Sequence, residues 1–436
     1  MIKKLVLVFI VIFAIEGHSQ QSTASPYSYY GIGSLNFKGT VENRSMGGLS
    51  IYNDSIHVNL RNPASYGGNN LASWGGESRP VKYTVGGGYQ NTNMKSEKSE
   101  ANTSATTFNY LAMSFPIGKL GVGFGIMPYT AVGYKLDNLN TEGKVGNRFR
   151  GEGGVNKVFL GAGYQVIESL SIGVDLQYNF GNIQSSIVEF QYDGDTPVQF
   201  QTRENNRSNL SGFSMTVGAS FKKMITERLE VVSGLTYTAQ SNLASINERS
   251  YSTITINSST NVESAFNTVD SDLEAAGLKE TELTLPSRIT FGLGIGQPRS
   301  WFLGAEYMTQ NTSEFSNPLY RSSGTVYEDG SRLSLGGFFI PQYNSYSDYY
   351  KRVVYRGGLR FEETGLNIND QSIKEFGISF GAGLPVGEAR LLSNANLGLE
   401  FGKRGTTKSN LIQENFINFQ ISLSLNDRWF QKRKYD

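Results

Sequence analysis

The sequence has no cysteine and only two histidines, which removes several kinds of chemistry. Without cysteine, no disulfide can hold the chain together and no thiolate can bind a metal. One histidine, His18, lies in a predicted signal peptide, so His57 is the only candidate catalytic base of its type. No HExxH motif occurs, and the His57, Asp54 and Ser55 group is best explained as an accidental local cluster. We therefore expect a protein that is not an enzyme and uses no cofactor.

A large charge excess and long hydrophobic runs are also missing. The 39 lysines and arginines nearly balance the 38 acidic residues, for a net charge of +1, so we expect no nucleic-acid partner. The apolar run from Leu5 to Ile15 is too short to span a bilayer. Preceded by Lys3 and Lys4 and followed by small residues, it predicts a signal peptide over residues 1–19 and hence an exported mature chain.

Glycine and aromatic residues are abundant. The chain has 50 Gly, 24 Tyr and 26 Phe, with few Ala- or Leu-rich runs of helical character, which favours a β protein. The hydrophobic fraction of 38% and the mean hydropathy of −0.32 are compatible with a membrane barrel, because only alternate strand residues of such a barrel face lipid.

Residues 286–309 show the pattern most clearly, as two alternating strands joined by a turn. Ile289, Phe291, Leu293 and Ile295 alternate with small or polar residues, and after Pro298 the alternation resumes from Trp301. A half-buried sheet of a soluble protein also gives this pattern. The number of times that the pattern repeats along the chain decides between a soluble sheet and a membrane barrel.

Alternating segments recur through the rest of the chain, and they number fourteen, an even count as in bacterial single-chain barrels. They cover about 80–92, 106–117, 119–137, 147–167, 169–190, 207–225, 228–250, 285–296, 300–311, 331–342, 351–364, 372–386, 389–404 and 411–425. Short turns follow even-numbered segments, whereas the long connections 93–105, 251–284 and 312–330 follow odd ones. This predicts an all-β, antiparallel transmembrane barrel over residues 76–425 with both termini in the periplasm.

Two further segments are predicted to lie outside the strands. Residues 20–75 are rich in Asn and Gly, lack a period, and predict an irregular plug inside the barrel. Residues 426–436 predict a basic periplasmic tail. Within the connection 251–284, the run 262–278 has helical spacing and fits either a short amphipathic helix or a plain loop.

Three groups of motifs carry a family resemblance. They are Met46-Gly47-Gly48 with Asn62-Pro63-Ala64, the hairpin from Leu285 through Trp301 and Glu306 to Phe315, and the C-terminal stretches 355–368, 377–386 and 424–436. On these motifs the chain resembles the FadL/OmpP1/TodX family of outer-membrane transport proteins, and its C-terminal stretches resemble a branch from gliding bacteria with type IX secretion. The resemblance implies a fourteen-stranded barrel closed by an N-terminal hatch containing Gly47, Gly48, Asn62, Pro63 and Ala64.

Charged residues on the predicted lumen face are the candidate ligand contacts. Alternation points these side chains inward: Asp175, Arg288, Glu306, Arg356, Arg360, Glu375 and Glu400. One interpretation is that they pair across the barrel and hold the hatch. The other is that Arg356 or Arg360 binds the carboxylate of a fatty-acid-like ligand. Asn62-Pro63-Ala64 is likewise either an ordinary turn or part of a hatch that moves about the glycines at 67 and 68.

The resemblance implies uptake of hydrophobic small molecules, such as long-chain fatty acids, across the outer membrane. The expected partners are outer-membrane lipid and a hydrophobic ligand. The alternative is a barrel of the same shape that serves as a subunit or shuttle of a protein secretion or assembly complex and binds partner proteins. An open porin is disfavoured because residues 21–70 would fill much of the lumen.

Overall fold

The computed structural model describes residues 23–67, 81–257, 260, 262–319, 324–386 and 393–427. The predicted signal peptide, residues 428–436 of the predicted tail and Gly68 lie outside these ranges. Among the described residues no helix is both long and apolar enough to cross a membrane.

Within the described residues, fourteen antiparallel strands form one closed sheet, which confirms the predicted fold class. We number them β1 (Val81–Lys95), β2 (Glu100–Ile117), β3 (Leu120–Leu139), β4 (Val145–Ile167), β5 (Leu170–Glu189), β6 (Gln201–Met224), β7 (Glu230–Thr238 and Ser241–Ile256), β8 (Glu280–Leu285 and Arg288–Gln297), β9 (Trp301–Gln310), β10 (Gly330–Phe339), β11 (Val354–Ile368), β12 (Gln371–Val386), β13 (Ser393–Arg404) and β14 (Gln413–Asp427). The ring closes because β1 pairs with β14 from Val81–Asp427 to Lys95–Gln413.

The alternation of each strand separates an apolar outer face from a polar inner face. In β8, Phe291 and Leu293 are each 53% exposed. Thr290, which lies between Ile289 and Phe291, is only 6% exposed. Neighbouring strands repeat this arrangement, with Leu303 and Tyr307 of β9 exposed and Glu306 buried. Apolar side chains outside and charged ones inside are the arrangement of a transmembrane barrel and the reverse of a soluble one.

The two ends of the barrel differ. One, the short-turn end, carries the turns 118–119, 168–169 and 298–300 and the longer link 340–353, which contains a 3₁₀ turn at Tyr349–Arg352. The other, the loop end, carries the connections 190–200 and 311–329. β4 and β6 have 23 and 24 residues and β9 only 10, so one side of the barrel extends well beyond the other at the loop end.

Two predictions about the connections are wrong. Residues 93–105 are not a long loop, because β1 and β2 continue to Lys95 and Glu100 around a four-residue turn. Residues 263–270 form neither a helix nor a loop but a strand, Glu263–Asp270, that pairs with the upper part of β7. Both segments extend from the barrel and are wet on both faces, so the one-sided apolar pattern that marks the membrane strands is missing there.

Residues 23–67 lie inside the barrel and pack against its inner wall. Their short elements are 3₁₀ turns at Pro26–Tyr29 and Pro63–Tyr66, a two-residue strand Ser34–Leu35 and a single helical turn Val41–Arg44. Val41 and Tyr66 share a buried apolar cluster with Tyr110, Met127 and Phe159 of the wall. We call residues 23–67 the N-terminal segment; that it moves as a hatch stays a prediction.

Candidate functional site

The largest group of buried charges lies where β11, β12 and β13 face the lumen. Arg360 of β11 donates to both Glu375 of β12 and Glu400 of β13, and its nitrogen lies 2.6 Å from the Glu400 Oε1 atom. Arg404, four residues after Glu400 on the same face, binds the other Glu375 oxygen at 2.6 Å. Three of the four predicted lumen residues of these strands, Arg360, Glu375 and Glu400, are therefore buried and joined in one network.

The N-terminal segment supplies two further cations to this network. The Lys38 Nζ atom lies 2.6 Å from Glu375 Oε1, and an Arg44 guanidinium nitrogen lies 2.8 Å from Glu400 Oε2. Burial and the neighbouring Arg360 lower the pKa of Lys38 to about 8 against the opposing effect of Glu375, so its ammonium is still protonated at neutral pH.

We call this group the lumen charge cluster. It contains four cations and four carboxylates, namely Lys38, Arg44, Arg360 and Arg404 with Glu362, Glu375, Glu400 and Glu414. The charges balance, and each charged group is buried together with its partners. Removing one member would therefore leave its partners buried without a counter-charge and without water to solvate them.

A second, smaller charge group lies against β9. Glu306 accepts hydrogen bonds from the Ser50 backbone N–H at 2.8 Å and the Ser50 hydroxyl at 2.7 Å, and its other oxygen lies 2.9 Å from Arg61. Arg332 of β10 lies 3.8 Å from that same oxygen. Glu306 thus holds two separate points of the N-terminal segment.

The single described histidine belongs to a third polar group near the short-turn end. His57 Nδ1 lies 2.7 Å from Asp54 Oδ2, and the Lys82 ammonium donates to the carbonyl oxygens of both residues. Burial alone would raise the pKa of Asp54, but His57 and Lys82 hold it well below its usual range. Arg356 is connected to this group through Asn396. The side-chain oxygen of Asn396 lies 3.1 Å from an Arg356 guanidinium nitrogen and 3.2 Å from His57 Nε2.

The predicted hatch residues make close contacts with the wall. Gly47 has a φ of +69°, and a Cβ atom there would come within 2.5 Å of the Leu359 carbonyl oxygen, so both its backbone shape and its surroundings require glycine. Gly48 follows with a φ of +90°. Asn62 accepts from the Ala64 N–H at 3.1 Å, which caps the turn begun by Pro63, and donates to the Ala219 carbonyl at 3.0 Å.

The predicted lumen residues thus fall into separate places. Arg360, Glu375 and Glu400 are together, Glu306 and Arg356 lie in the other two groups, and Arg288 and the buried Asp175 join none of the three. Sequence reasoning missed Lys38, Arg44, Arg61 and Arg404. Arg404 shares the alternation of Glu400 and could have been found, whereas the first three lie in a segment without a period.

An aromatic cavity of about 520 Å³ lies above the lumen charge cluster, toward the loop end. Its walls include Tyr29 and Tyr30 of the N-terminal segment with Tyr134, Phe315 and Tyr327. A smaller cavity of about 180 Å³, lined by Ile32, Leu285, Met308 and Ile373, shares Tyr30, Phe315 and Tyr327 with it and reaches Lys38 and Glu375. The larger cavity also has polar lining residues, including Glu204, Asn206 and Arg249, so it combines aromatic side chains with polar groups.

The wall has a gap between β2 and β3. These strands pair only from Leu111–Ile126 to Ile117–Leu120, although both continue toward the loop end. Beyond that point β3 pairs on its inner side with Ser34–Leu35, and the Asn36 N–H donates to the Tyr129 carbonyl at 2.9 Å. Pro128, at a break in the register of β3 with β4, marks where β3 turns away from β2.

A narrow opening of about 60 Å³ passes through this gap. Its lining includes Thr107 and Ala131 from the two sides of the gap, Lys38 and Arg44 on the lumen side, and the outward-facing aromatics Tyr89 and Phe419. Its lining therefore includes residues that face the lumen and residues that face the outer surface of the barrel. Among the described residues, no group of three or more acidic or histidine side chains is placed to bind a metal ion.

A closed fourteen-stranded barrel with an occupied lumen defines the class of FadL-like outer-membrane barrels. A family model described as BamG matches residues 1–436, so the chain belongs to the BamG family. No curated protein matches it.

Three solved structures of similar fold are distant from this chain in sequence. The Ralstonia pickettii toluene transporter TbuX has a TM-score of 0.57 at 14% identity, covering 90% of this chain and 100% of its own. The Pseudomonas putida toluene transporter TodX has a TM-score of 0.58 at 13% identity, with coverage of 91% and 100%. A Pseudomonas aeruginosa FadL homologue has a TM-score of 0.55 at 11% identity, with coverage of 91% and 99%.

Proposed function

We propose that this protein takes up a small hydrophobic molecule across the outer membrane, binding it in the aromatic cavity and releasing it sideways through the gap between β2 and β3. The gap is the observation that carries the proposal, because its lining includes residues that face the lumen and residues that face the apolar outer surface. Straight passage is blocked by the N-terminal segment, which three groups of polar contacts attach to the wall.

The aromatic cavity and the names of the similar structures support this proposal. The cavity of about 520 Å³ falls in the usual size range of small-molecule pockets. Two of the similar structures are toluene transporters and one is a FadL homologue, so aromatic hydrocarbons and fatty acids are the substrate classes to test. For a fatty acid, Lys38 would meet the carboxylate more readily than Arg360, because Lys38 lines the smaller cavity and Arg360 does not.

The proposal includes the orientation of the barrel. β1 begins and β14 ends at the short-turn end, and short turns face the periplasm in outer-membrane barrels. Both described termini of the barrel would then lie on the periplasmic side, and the aromatic cavity would open toward the cell exterior.

Closing the gap reversibly tests the proposal. In this cysteine-free chain, Thr107→Cys with Ala131→Cys can be bridged across the opening by a bis-methanethiosulfonate reagent and released with a reductant. We expect uptake of radiolabelled toluene or oleate by expressing cells to fall at least tenfold when bridged and to recover on reduction. The control, Asn93→Cys with Asn102→Cys, bridges two strands that are already paired and should change nothing. Unchanged uptake through a bridged gap would refute lateral release.

A second candidate is a partner-binding subunit of an outer-membrane secretion or assembly complex, which the unpaired stretch of β2 favours. Native mass spectrometry of the protein extracted from its own membrane in mild detergent separates the two. A bound lipid-like molecule supports uptake, whereas a stoichiometric second protein supports the subunit role. Gene deletion gives the matching phenotypes, namely lost growth on hydrophobic carbon sources or lost surface proteins.

A further inference from the structure

The upper half of β2 has an unpaired edge. Residues 100–108 pair with β1 on one side, and among the described residues no strand pairs with their other side. β3, which would ordinarily take that place, is turned inward and pairs with Ser34–Leu35. The gap is therefore maintained by the protein's own N-terminal segment.

The register shows which backbone groups are left over. The Ser96 N–H donates to the Ser99 carbonyl, and hydrogen-bonded pairs alternate along an antiparallel ladder. The N–H and C=O groups of Asn102, Ser104 and Thr106 consequently point away from β1, toward the gap. Together they form a regular row of donors and acceptors.

This edge lacks the features that normally prevent strand addition. Exposed edges usually carry Lys, Pro or inward-facing charges that discourage pairing with another chain. Residues 101–110 contain no charged residue and no proline, and they include three threonines, which favour strands. The charged residues Glu97, Lys98 and Glu100 are confined to the tip of the hairpin.

The height of the edge indicates where a partner would sit. Thr106 lies opposite Tyr89 of β1, and Tyr89 lies opposite Phe419 of β14. Both aromatics are exposed on the outer surface, at 46% and 43%, as expected for side chains at the membrane boundary. The edge therefore begins near a membrane boundary and runs from there toward the loop end, beyond the reach of lipid tails.

We propose that residues 102–106 of β2 bind an extended strand of another outer-membrane protein by backbone hydrogen bonding. A peptide strand is the ligand whose groups match such a row. A second copy fits poorly, since two copies with the same membrane orientation run their β2 strands parallel. An exact twofold symmetry axis would then place each residue of one β2 strand opposite the same residue of the other. The slanted hydrogen bonds of a parallel ladder do not allow this arrangement. The proposal does not depend on uptake.

Photo-crosslinking in native outer membranes tests it. A photoreactive residue at Asn102 should capture one outer-membrane protein, through a peptide that forms a strand there. The same residue at Tyr178, which is exposed on a strand paired on both sides, should capture no protein. Ser104→Pro with Thr106→Pro removes two free N–H groups and should reduce capture at least tenfold. Ser104→Ala with Thr106→Ala keeps both N–H groups and should retain it.

The alternatives give different results. Capture of lipid only, capture of a peptide from this same chain, or capture insensitive to the proline pair would each overturn the proposal. Hydrogen exchange separates a folding defect from lost binding. The amides of Asn102, Ser104 and Thr106 should be protected in native membranes and lose that protection when the purified protein is reconstituted alone. Fast exchange in both preparations, or protection in both, would also overturn it.

Discussion

Glu400 is a residue whose loss should loosen the N-terminal segment. It binds Arg44 of that segment and Arg360 of the wall, both at the centre of the lumen charge cluster. Glu400→Gln leaves those two cations underpaired, and breaking a buried pair in this way costs roughly 3–5 kcal/mol. We expect much faster tryptic cleavage after Arg44 in the detergent-solubilised protein.

The matched control is Glu363→Gln. Glu363 pairs with Lys374 at 2.7 Å, but their side chains are 55% and 66% exposed. An exposed pair contributes little, so the cleavage rate should hardly change. Equal cleavage rates in the two variants would show that the cluster does not hold the segment.

Adjacent glycines of β11 offer a steric test of the same attachment. A Cβ atom at Gly358 would lie 2.2 Å from the backbone of Met46 and Gly47, whereas one at Gly357 would meet nothing nearer than 3.9 Å. Gly358→Ala should therefore displace the segment and admit hydrophilic antibiotics to expressing cells, while Gly357→Ala should behave as wild type. If both variants stay impermeable, the contact at Gly358 is not needed to seal the lumen.

Individual lumen residues could be predicted from the sequence wherever the chain has the period-two alternation of a strand. Arg360, Glu375 and Glu400 could be placed on the lumen face because strand side chains alternate with period two. Their partners Lys38 and Arg44 could not be found, because an irregular segment has no period that says which way a side chain points. Pairing across a distance of more than three hundred residues is a property of the closed ring.

Among the elements, the turn around Asp54 and His57 should respond to acid. The folded-state pKa of Asp54 is below its ordinary value, so its carboxylate contributes stability that is fully present above about pH 4 and is lost as the pH falls further. Hydrogen exchange of residues 52–59, corrected for the intrinsic effect of pH, should be slow at pH 6 and faster near pH 3.

Removing the carboxylate should reproduce the acid effect at neutral pH. Asp54→Asn is expected to exchange quickly at pH 6 and to show little further change on acidification. Asp348→Asn, which breaks the more exposed pair with Lys351, serves as the control and should keep the wild-type profile over residues 52–59. A wild-type profile in Asp54→Asn would exclude Asp54 as the group responsible.

The strands themselves were predictable wherever they cross the membrane. Each of the fourteen predicted segments overlaps one observed strand, because one face must be apolar toward lipid. The errors fall at 93–105 and 262–278, where the strands have left the membrane. In the second case Val262, Phe266 and Val269 have the spacing of a helix. A bulge opposite Ile254 interrupts the period-two alternation of this strand, so the sequence did not show it as a strand.

For the whole molecule, removal of the N-terminal segment should convert a closed barrel into a pore. Deleting residues 24–66 takes away Lys38, Arg44 and Arg61, which are partners of Glu375, Glu400 and Glu306. The emptied lumen keeps those carboxylates, so the pore should prefer cations. Planar-bilayer recordings should show stable cation-selective channels for the deletion and none for the full chain. A silent or anion-selective deletion variant would contradict this arrangement of charge.

The closure of the ring between β1 and β14 also fixes an order of events during biogenesis. The first and last strands meet only after the rest of the sheet exists, and the enclosed segment touches walls as far apart as β5 and β13. Such a segment cannot thread in afterwards past its own buried ion pairs, so it must be encapsulated while the barrel is still an open sheet. Pairing of the fifteen residues of β14 with β1 is then the step that commits the N-terminus to its place.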